Sequence, residues 1–216
     1  MQSNLGTAGQ RKPSFIEEAR RRQIVETAIQ TIATQGYSQA SLSEIAKKAG
    51  ISKGVISYHF RGKEELIEEI LRSLQKKPAE FVKERVASAG TALEKLAAYV
   101  AANFEFMKAH RVGYVALVAL WGQRYGAFEE SSLNAEAYEP SRHYLAHILE
   151  EGRKTGEMRP LPVRTTASLV QAAIDGVMLQ WVFDEKSIDL DVACDEVTEM
   201  LTRHVAPVPP SPGHGP

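Results

Sequence analysis

Apolar residues recur every three to four positions along almost the whole chain, which is the spacing of one face of an α-helix. No stretch alternates apolar and polar residues convincingly enough to predict a strand. Glycine and proline fall between the periodic segments and mark where helices end. The pattern therefore predicts an all-α fold of about nine helices. The periodic segments, which number ten when a separate segment is counted from Pro78, occupy residues 14–35, 42–49, 53–59, 63–77, 78–89, 91–109, 111–125, 135–155, 165–183 and 190–205.

Capping residues indicate where several of these helices begin. Ser14 is followed three positions later by Glu17, and Ser41 by Glu44, so each pair can form a capping box with the backbone N–H groups of the first turn. Pro78 suits the first turn of a helix better than its interior. We therefore expect a new helix to begin there.

Residues 41–60 have the layout of a helix-turn-helix, which is two short helices joined by a tight turn. Gly50 lies in the turn and permits the positive φ that such a turn needs. Ala46 is small where the two helices would cross. A shared core can form from Ile45, Ala49, Ile51 and Ile56. The alternative is an ordinary corner between two helices, with Tyr58 and Phe60 in the core. For Phe60 we expect burial.

The outer face of the second short helix fits the major groove of DNA. A recognition helix enters that groove with its N-terminal residues toward the base edges. Lys53 can donate hydrogen bonds to guanine or to a phosphate, and Val55 can touch a thymine methyl group. Gly54 allows the backbone to approach closely.

The charge distribution is uneven along the chain. Residues 1–63 contain 10 Lys and Arg against 4 Glu, whereas the other 153 residues contain 16 against 23 acidic residues. The basic part indicates a polyanionic partner, although chance clustering on a solvated face gives the same count. Arg11 and Lys12 could reach DNA or simply be solvated. Three consecutive arginines are interpreted as surface charges with some long-range attraction to DNA: Arg20, Arg21 and Arg22.

Several strings of residues together identify a family. They are Gly36-Tyr37, Ser43-Glu44-Ile45-Ala46, Ala49-Gly50-Ile51-Ser52-Lys53-Gly54, Tyr58-His59-Phe60 and Lys63-Glu64-Glu65-Leu66. With the apolar face of the first helix, they make residues 24–71 closely resemble the DNA-binding domain of TetR-family transcriptional regulators. The string Gly54-Val55-Ile56-Ser57 looks closer to the BetI-type branch. The family often has Tyr in place of Ser57 and Thr in place of Val55, which could alter the bases read.

The resemblance implies which residues contact DNA. These are Ser43, Ser52, Lys53, Gly54, Val55, Ser57, Tyr58, His59 and Lys63. Lys63 would bind a phosphate, and its place at a helix N-terminus, where anions are attracted, indicates the same role.

The resemblance also implies a domain organisation. Residues 14–62 would be the helix-turn-helix domain and 63–205 a helical domain for effector binding and dimerisation. The polar composition of residues 1–13 predicts a flexible arm, and the five prolines and two glycines near the C-terminus predict a disordered tail over residues 206–216. The last two helices would make the dimer contact. In the second of them a stripe runs through Leu190, Cys194, Val197, Leu201 and Val205. In the first, Gly176 costs about 1 kcal/mol relative to Ala, and a close helix–helix approach would be one reason for it.

Candidate effector contacts are aromatic, Met or polar residues in apolar helices. Such residues are as often plain core as ligand lining. A buried polar group without a partner costs about 1–3 kcal/mol, so the polar candidates are the better indicators. Asp175 could pair with a cationic ligand or cap a backbone group. The candidates are Asn103, Phe104, Met107, Tyr114, Trp121, Tyr125, Gln171, Asp175 and Met178.

Other chemistry finds little support in the sequence. His143 and His147 lie one helical turn apart, but no third metal ligand is near them. No phosphate-binding glycine loop or nucleophile elbow occurs, so we expect neither a cofactor nor an enzyme. The longest apolar run, residues 112–121, is too short to cross a membrane. One cysteine and no secretory signal fit the bacterial cytoplasm.

These observations predict a homodimeric DNA-binding regulator, most simply a repressor. It would bind a palindromic double-stranded operator and be released by a small-molecule effector whose identity the sequence does not give. The alternative is a ligand-independent regulator whose C-terminal domain serves only dimerisation or protein contacts. A filled core without a cavity would favour that alternative.

Overall fold

The computed structural model describes residues 14–124 and 138–207, and these residues form nine helices and no strand. The all-α prediction is confirmed. The helices are α1 (Phe15–Gln35), α2 (Leu42–Ala49), α3 (Lys53–His59), α4 (Lys63–Ala87), α5 (Ala92–Ala109), α6 (Arg111–Arg124), α7 (Glu139–Thr155), α8 (Val163–Phe183) and α9 (Leu190–Val205). The expected arm, most of the expected tail and the positions Arg11, Lys12 and Tyr125 lie outside the described residues.

The chain divides into two compact units between Ile70 and Leu71, inside α4. The first unit contains α1 to α3 and the N-terminal part of α4. The second contains the rest of α4 and all later helices. The functional boundary that we expect before Lys63 remains a prediction.

The capping residues act largely as the sequence indicates. Ser14 and Glu17 form a complete capping box at the start of α1. At α2 only half of the box forms: Ser41 accepts from the Glu44 N–H, while its own N–H donates to the Gln39 carbonyl at 2.8 Å. The competing backbone bond leaves the Glu44 side chain without its expected role.

The prediction of a new helix at Pro78 is wrong. Pro78 lies inside α4, which continues without a break to Ala87. A proline removes one backbone hydrogen bond from a helix interior. The helix nevertheless continues because its next two turns are anchored in the core of the second unit, where Val82 is 4% and Val86 is 2% exposed. Tertiary burial outweighs the local preference.

The core of the second unit is apolar and is built mainly from α5, α7, α8 and α9. Helix α8 begins at Val163, two residues earlier than the periodicity predicts. No helix in the described ranges is long and apolar enough to cross a bilayer.

Candidate nucleic-acid interface and effector site

The α2–turn–α3 segment forms by local rules. Gly50 has φ 66° and ψ 32°, the left-handed conformation that glycine adopts without strain. The Ser52 hydroxyl then caps α3 by accepting from the Val55 N–H at 3.3 Å. Beneath the two helices, Ile45 and Ile56 are buried, which holds α3 with a fixed face outward.

The outward face of α3 is the predicted one. Tyr58 is 73% exposed and Phe60 is 1% exposed, so the corner alternative fails for Tyr58, while Phe60 is core as expected. Most predicted DNA contacts are exposed, namely Ser43, Ser52, Lys53, Gly54, Ser57 and Tyr58; Val55, His59 and Lys63 are half-buried. The geometry brings these residues together, and their contacts with DNA remain predictions.

Tyr58 is held in place by α1. Its hydroxyl donates to Glu17 Oε1 at 3.0 Å, while Glu17 Oε2 accepts from the Ser14 N–H at 2.7 Å. The same carboxylate therefore caps α1 and orients a predicted DNA contact. The sequence reasoning did not anticipate this second role for Glu17.

Lys63, the predicted phosphate contact, is engaged within the protein. Its Nζ donates to the Tyr37 carbonyl at 2.9 Å and sits 3.9 Å from the centroid of the Tyr37 ring. Partial burial lowers the pKa of Lys63. The side chain ties the start of α4 to the segment after α1. Its phosphate contact remains a prediction, and the ammonium group has further N–H donors beyond the one given to the Tyr37 carbonyl.

Arg21, interpreted above as a surface charge, has a side chain that is 35% exposed and makes specific contacts within the protein. Its guanidinium donates to the His59 carbonyl at 2.7 Å and to Glu69 Oε2 at 3.0 Å. The helical spacing contained the signal, because Arg21 lies three residues before buried Ile24 and so on the inner face of α1. Arg22, one position further, is exposed.

In the second unit, the apolar effector candidates are core residues. Phe104, Met107 and Met178 are at most 3% exposed and belong to one apolar cluster. Tyr114 and Trp121 are partly buried against that cluster. The burial of Phe104, Met107 and Met178 supports the interpretation that these side chains belong to the hydrophobic core.

The polar candidates form a connected chain of partly buried side chains next to this apolar core. Tyr99 Oη donates to Gln171 Oε1 at 2.8 Å, and Gln171 Nε2 donates to Asp175 Oδ1 at 2.9 Å. Asn103 Nδ2 donates to the Tyr99 carbonyl at 2.8 Å. Asp175 thus accepts a hydrogen bond from the Gln171 side chain. The sequence alone suggests a cationic ligand or a backbone group as its partner.

Burial disfavours ionisation throughout this chain of side chains. It raises the pKa of Asp175, against the opposing effect of hydrogen bonds with Gln171 and Tyr138. It also raises the pKa of Tyr99 to about 12 and that of Tyr114 further. The site is therefore a carboxyl group that is costly to ionise, with phenol groups close enough to interact with its charge.

Sequence reasoning missed part of this cluster. The Ser141 hydroxyl opposes the effect of burial on the pKa of Tyr99, and the ring centroids of Tyr99 and Tyr144 are 6.2 Å apart. Tyr138 at the start of α7 hydrogen-bonds Asp175. No local pattern distinguishes these residues, because Ser141 and Tyr144 reach Tyr99, and Tyr138 reaches Asp175, only when α5, α7 and α8 come together.

A surface groove of about 960 Å³ lies along α7. Tyr144 belongs both to this groove and to the aromatic surroundings of Tyr99. His143 and His147 are exposed on its wall. In residues 14–124 and 138–207, no three His, Cys, Asp or Glu side chains gather as a metal site would require. The lining residues are Glu139, Pro140, His143, Tyr144, Ala146, His147, Glu150 and Val163.

The stripe predicted to face a dimer partner packs largely inside the protomer. In α9, Leu190, Val197, Leu201 and Val205 are all at most 9% exposed and join the apolar core; Cys194 is partly buried against it. The apolar side chains left outside are different ones. They are Leu169 and Phe183 on α8 and Val192 and Met200 on α9, each 55–77% exposed.

Comparison with known proteins agrees with this architecture. Residues 24–70 match the family model described as bacterial regulatory proteins, tetR family, and residues 92–206 match the BetI-type transcriptional repressor, C-terminal. The fatty acid metabolism regulator protein of Bacillus subtilis is 28% identical over 198 residues, which is 91% of this chain and 97% of that protein.

Two solved structures are similar in fold. FadR from Bacillus subtilis in complex with stearoyl-CoA has a TM-score of 0.69 at 26% identity, covering 85% of this chain and 98% of its own. A putative transcriptional regulator from Saccharomonospora viridis in complex with choline has a TM-score of 0.78 at 23% identity, covering 88% and 100%. Matches to both halves, on a fold in which α3 has an exposed outer face, establish that the chain belongs to the TetR family of bacterial transcriptional regulators and has a BetI-type C-terminal domain.

Proposed function

We propose that the chain is a dimeric, cytoplasmic repressor that places α3 of each subunit in the major groove of a palindromic operator and is released by a small molecule. The observation that carries this proposal is the exposed face of α3, with Lys53 at its start and Tyr58 73% exposed above buried Ile56. Two-fold symmetry would set half-sites about one helical turn, or a multiple of it, apart.

The operator can be found with the purified protein alone. Duplexes selected by it from a random pool should contain an inverted repeat, and binding should weaken steeply with salt because phosphate contacts release counterions. A reporter placed behind the selected sequence should be repressed by the regulator. Failure to enrich any sequence at low or moderate salt would contradict the proposal.

The exposed apolar residues of α8 support a dimer contact on that helix. Leu169, Gly176 and Phe183 are spaced by seven residues, which places them along one stripe of an α-helix. A Cβ added at Gly176 would meet no atom within 4 Å. Packing within the protomer therefore does not explain this glycine, whereas close approach of a helix from a second subunit would.

Gly176→Ala separates these explanations. In the monomer the change should stabilise α8 by up to about 1 kcal/mol, because Ala is the better helix former. If a partner helix crosses at Gly176, the added methyl should weaken dimerisation, measured by sedimentation at low protein concentration. Gly54→Ala, a helical glycine in the other unit, is the control for dimerisation. If Gly176→Ala dimerised as tightly as the unchanged protein, the subunit contact would not include a helix crossing at Gly176.

For the effector, the cluster around Asp175 supports a small organic cation. A partly buried carboxyl group with phenol rings nearby offers both an opposite charge and aromatic faces, which bind cations such as quaternary ammonium groups. An anionic acyl-CoA, the ligand type of the Bacillus subtilis structure, would meet a repulsive carboxylate there. We therefore favour the cation over the acyl-CoA.

Release would require the effector to bind one conformation of the dimer more tightly than the other. The pKa of Tyr114 is raised in part by electrostatic interaction with Asp175, and Tyr114 follows Gly113 on α6. A Cβ at Gly113 would lie 3.1 Å from Leu74 Cδ2 on α4. Movement of α6 on ligand binding would thus press on α4, and a tilt of α4 would change the separation of the two recognition helices.

Asp175→Asn tests the cation proposal. Loss of the charge should weaken binding of a quaternary ammonium probe such as tetramethylammonium or choline by roughly 10- to 100-fold, as expected for the loss of coulombic attraction between two close, partly desolvated charges. Calorimetry measures the affinity, and stearoyl-CoA serves as the second ligand. Asp191→Asn, the same change at an exposed aspartate paired with Lys108, should bind the probe normally. Tight acyl-CoA binding without cation binding would overturn this assignment, and binding of neither would favour the ligand-independent alternative.

The raised pKa of Asp175 also predicts a pH dependence. In the folded protein the carboxyl group keeps its proton to a higher pH than in the unfolded chain, so the free energy of unfolding should fall as pH rises from about 3.8 through the raised pKa. Cation affinity should change in the opposite direction, because only the ionised carboxylate attracts the ligand. Thermal unfolding and titration calorimetry between pH 4 and 8, compared with Asp175→Asn, measure both slopes. Identical pH profiles for the two proteins would contradict the prediction.

A further inference from the structure

We propose that Arg21 is a positioning residue that fixes the orientation of the recognition helix α3 and thereby contributes to sequence discrimination, without itself reading a base. The proposal rests on the DNA-binding function above and concerns a residue on α1 that lies outside the α2–turn–α3 segment.

The guanidinium of Arg21, a residue of α1, contacts two other elements at once. From α1 it donates to the His59 carbonyl at the last residue of α3 at 2.7 Å and to Glu69 Oε2 on α4 at 3.0 Å. Its second α4 partner is Glu65, with Oε1 at 3.9 Å. The guanidinium carbon also lies 4.2 Å from the centroid of the Phe60 ring. One side chain therefore joins α1, the end of α3 and the start of α4.

Helix α3 has particular need of such a contact. It has seven residues, too few for a helix to be stable on its own, so its pose depends on tertiary contacts. It also lacks a glycine C-cap: Phe60 follows it in an extended conformation, with φ −139° and ψ 128°. A helix leaves its last carbonyl groups without intrahelical partners. Arg21 supplies a cationic donor to one of these carbonyls, where a positive charge is favourable.

The charge of Arg21 and its geometry have separable consequences. A merely attractive charge would raise affinity for every duplex equally, and lysine would serve as well. A positioning role requires the planar guanidinium, which can donate to the His59 carbonyl and a carboxylate together, whereas an ammonium group lacks this fork. Arg22 is the natural comparison, because it is adjacent, equally charged and exposed.

The experiment compares Arg21→Lys, Arg21→Met and Arg22→Met in the full-length dimer. Each protein is titrated with the duplex that the unchanged protein selects from a random pool and with a shuffled duplex of the same length. The ratio of the two affinities should fall roughly tenfold in both Arg21 variants, the value of about one well-made base contact. In Arg22→Met the two affinities should fall together, and the ratio should stay the same.

Hydrogen exchange of the α3 amides provides a second readout. It should accelerate in both Arg21 variants and not in Arg22→Met, at unchanged dimerisation. Arg21→Lys retains the positive charge, so it still tests the positioning role of the guanidinium if Arg21→Met does not fold. An unchanged affinity ratio in Arg21→Lys, or a parallel loss of both affinities in Arg21→Met, would overturn the proposal. Failure of the unchanged protein to prefer any duplex would instead show that the proposed function itself is wrong.

Discussion

Replacing Leu169 with glutamate is expected to convert the dimer into monomers and to weaken operator binding by about 100-fold or more. Leu169 is 56% exposed on α8 and lies on the same stripe as Gly176 and Phe183. A carboxylate buried without a partner in an apolar contact is strongly unfavourable. Once the subunits separate, each half-site must be bound independently, and the avidity of the linked pair, about 10²- to 10⁴-fold, is lost.

Sedimentation and mobility-shift titrations with the selected duplex measure the two effects. Ala101→Glu adds the same charge at an exposed position of α5 and should leave both the dimer and operator binding intact. If Leu169→Glu remained dimeric at the same protein concentrations, the face containing α8 would not be the subunit interface.

Truncating Lys53 or Tyr58 to alanine is expected to weaken operator binding by roughly 10- to 100-fold while leaving the dimer intact. A bidentate side-chain contact with a base contributes about 1–3 kcal/mol of discrimination. Lys53 is exposed at the N-terminal end of α3, where recognition helices face the bases. Tyr58 projects from the same helix with its hydroxyl bound to Glu17. Neither side chain supports the core, so folding should be unaffected.

Salt titrations distinguish the kinds of contact made by Lys53. If it binds a phosphate, Lys53→Ala should weaken binding to all duplexes similarly and reduce the salt slope by about one. If it binds a base, the loss should be larger on the selected duplex. Lys83→Ala removes an exposed lysine from the other unit and should change neither value. Normal operator binding by both Lys53→Ala and Tyr58→Ala would remove the main support for α3 as the recognition helix.

The sequence by itself determined the helix-turn-helix. Its features depend on contacts between residues close along the chain: the serine caps, the positive φ at Gly50 and the apolar positions that bury Ile45 and Ile56. Because each of these features depends only on neighbouring residues, the sequence predicts the bounds of α2 and α3 correctly. It also predicts the roles of Gly50 and Ser52, the exposed residues between these two helices. The same holds for α9, whose ends the periodicity predicts correctly.

Tertiary structure alone decided the continuity of α4 and the surroundings of Asp175. Pro78 argues locally for a break, and only the burial of Val82 and Val86 against distant helices outweighs that preference. Asp175 acquires Gln171 from its own helix, but Tyr138 comes from a segment far along the chain. Helical spacing shows which residues share a face, yet it does not show what that face will meet. Packing between helices that are far apart in sequence determines what each face contacts. This packing buries the apolar stripe of α9 within the protomer and leaves Leu169 and Phe183 exposed.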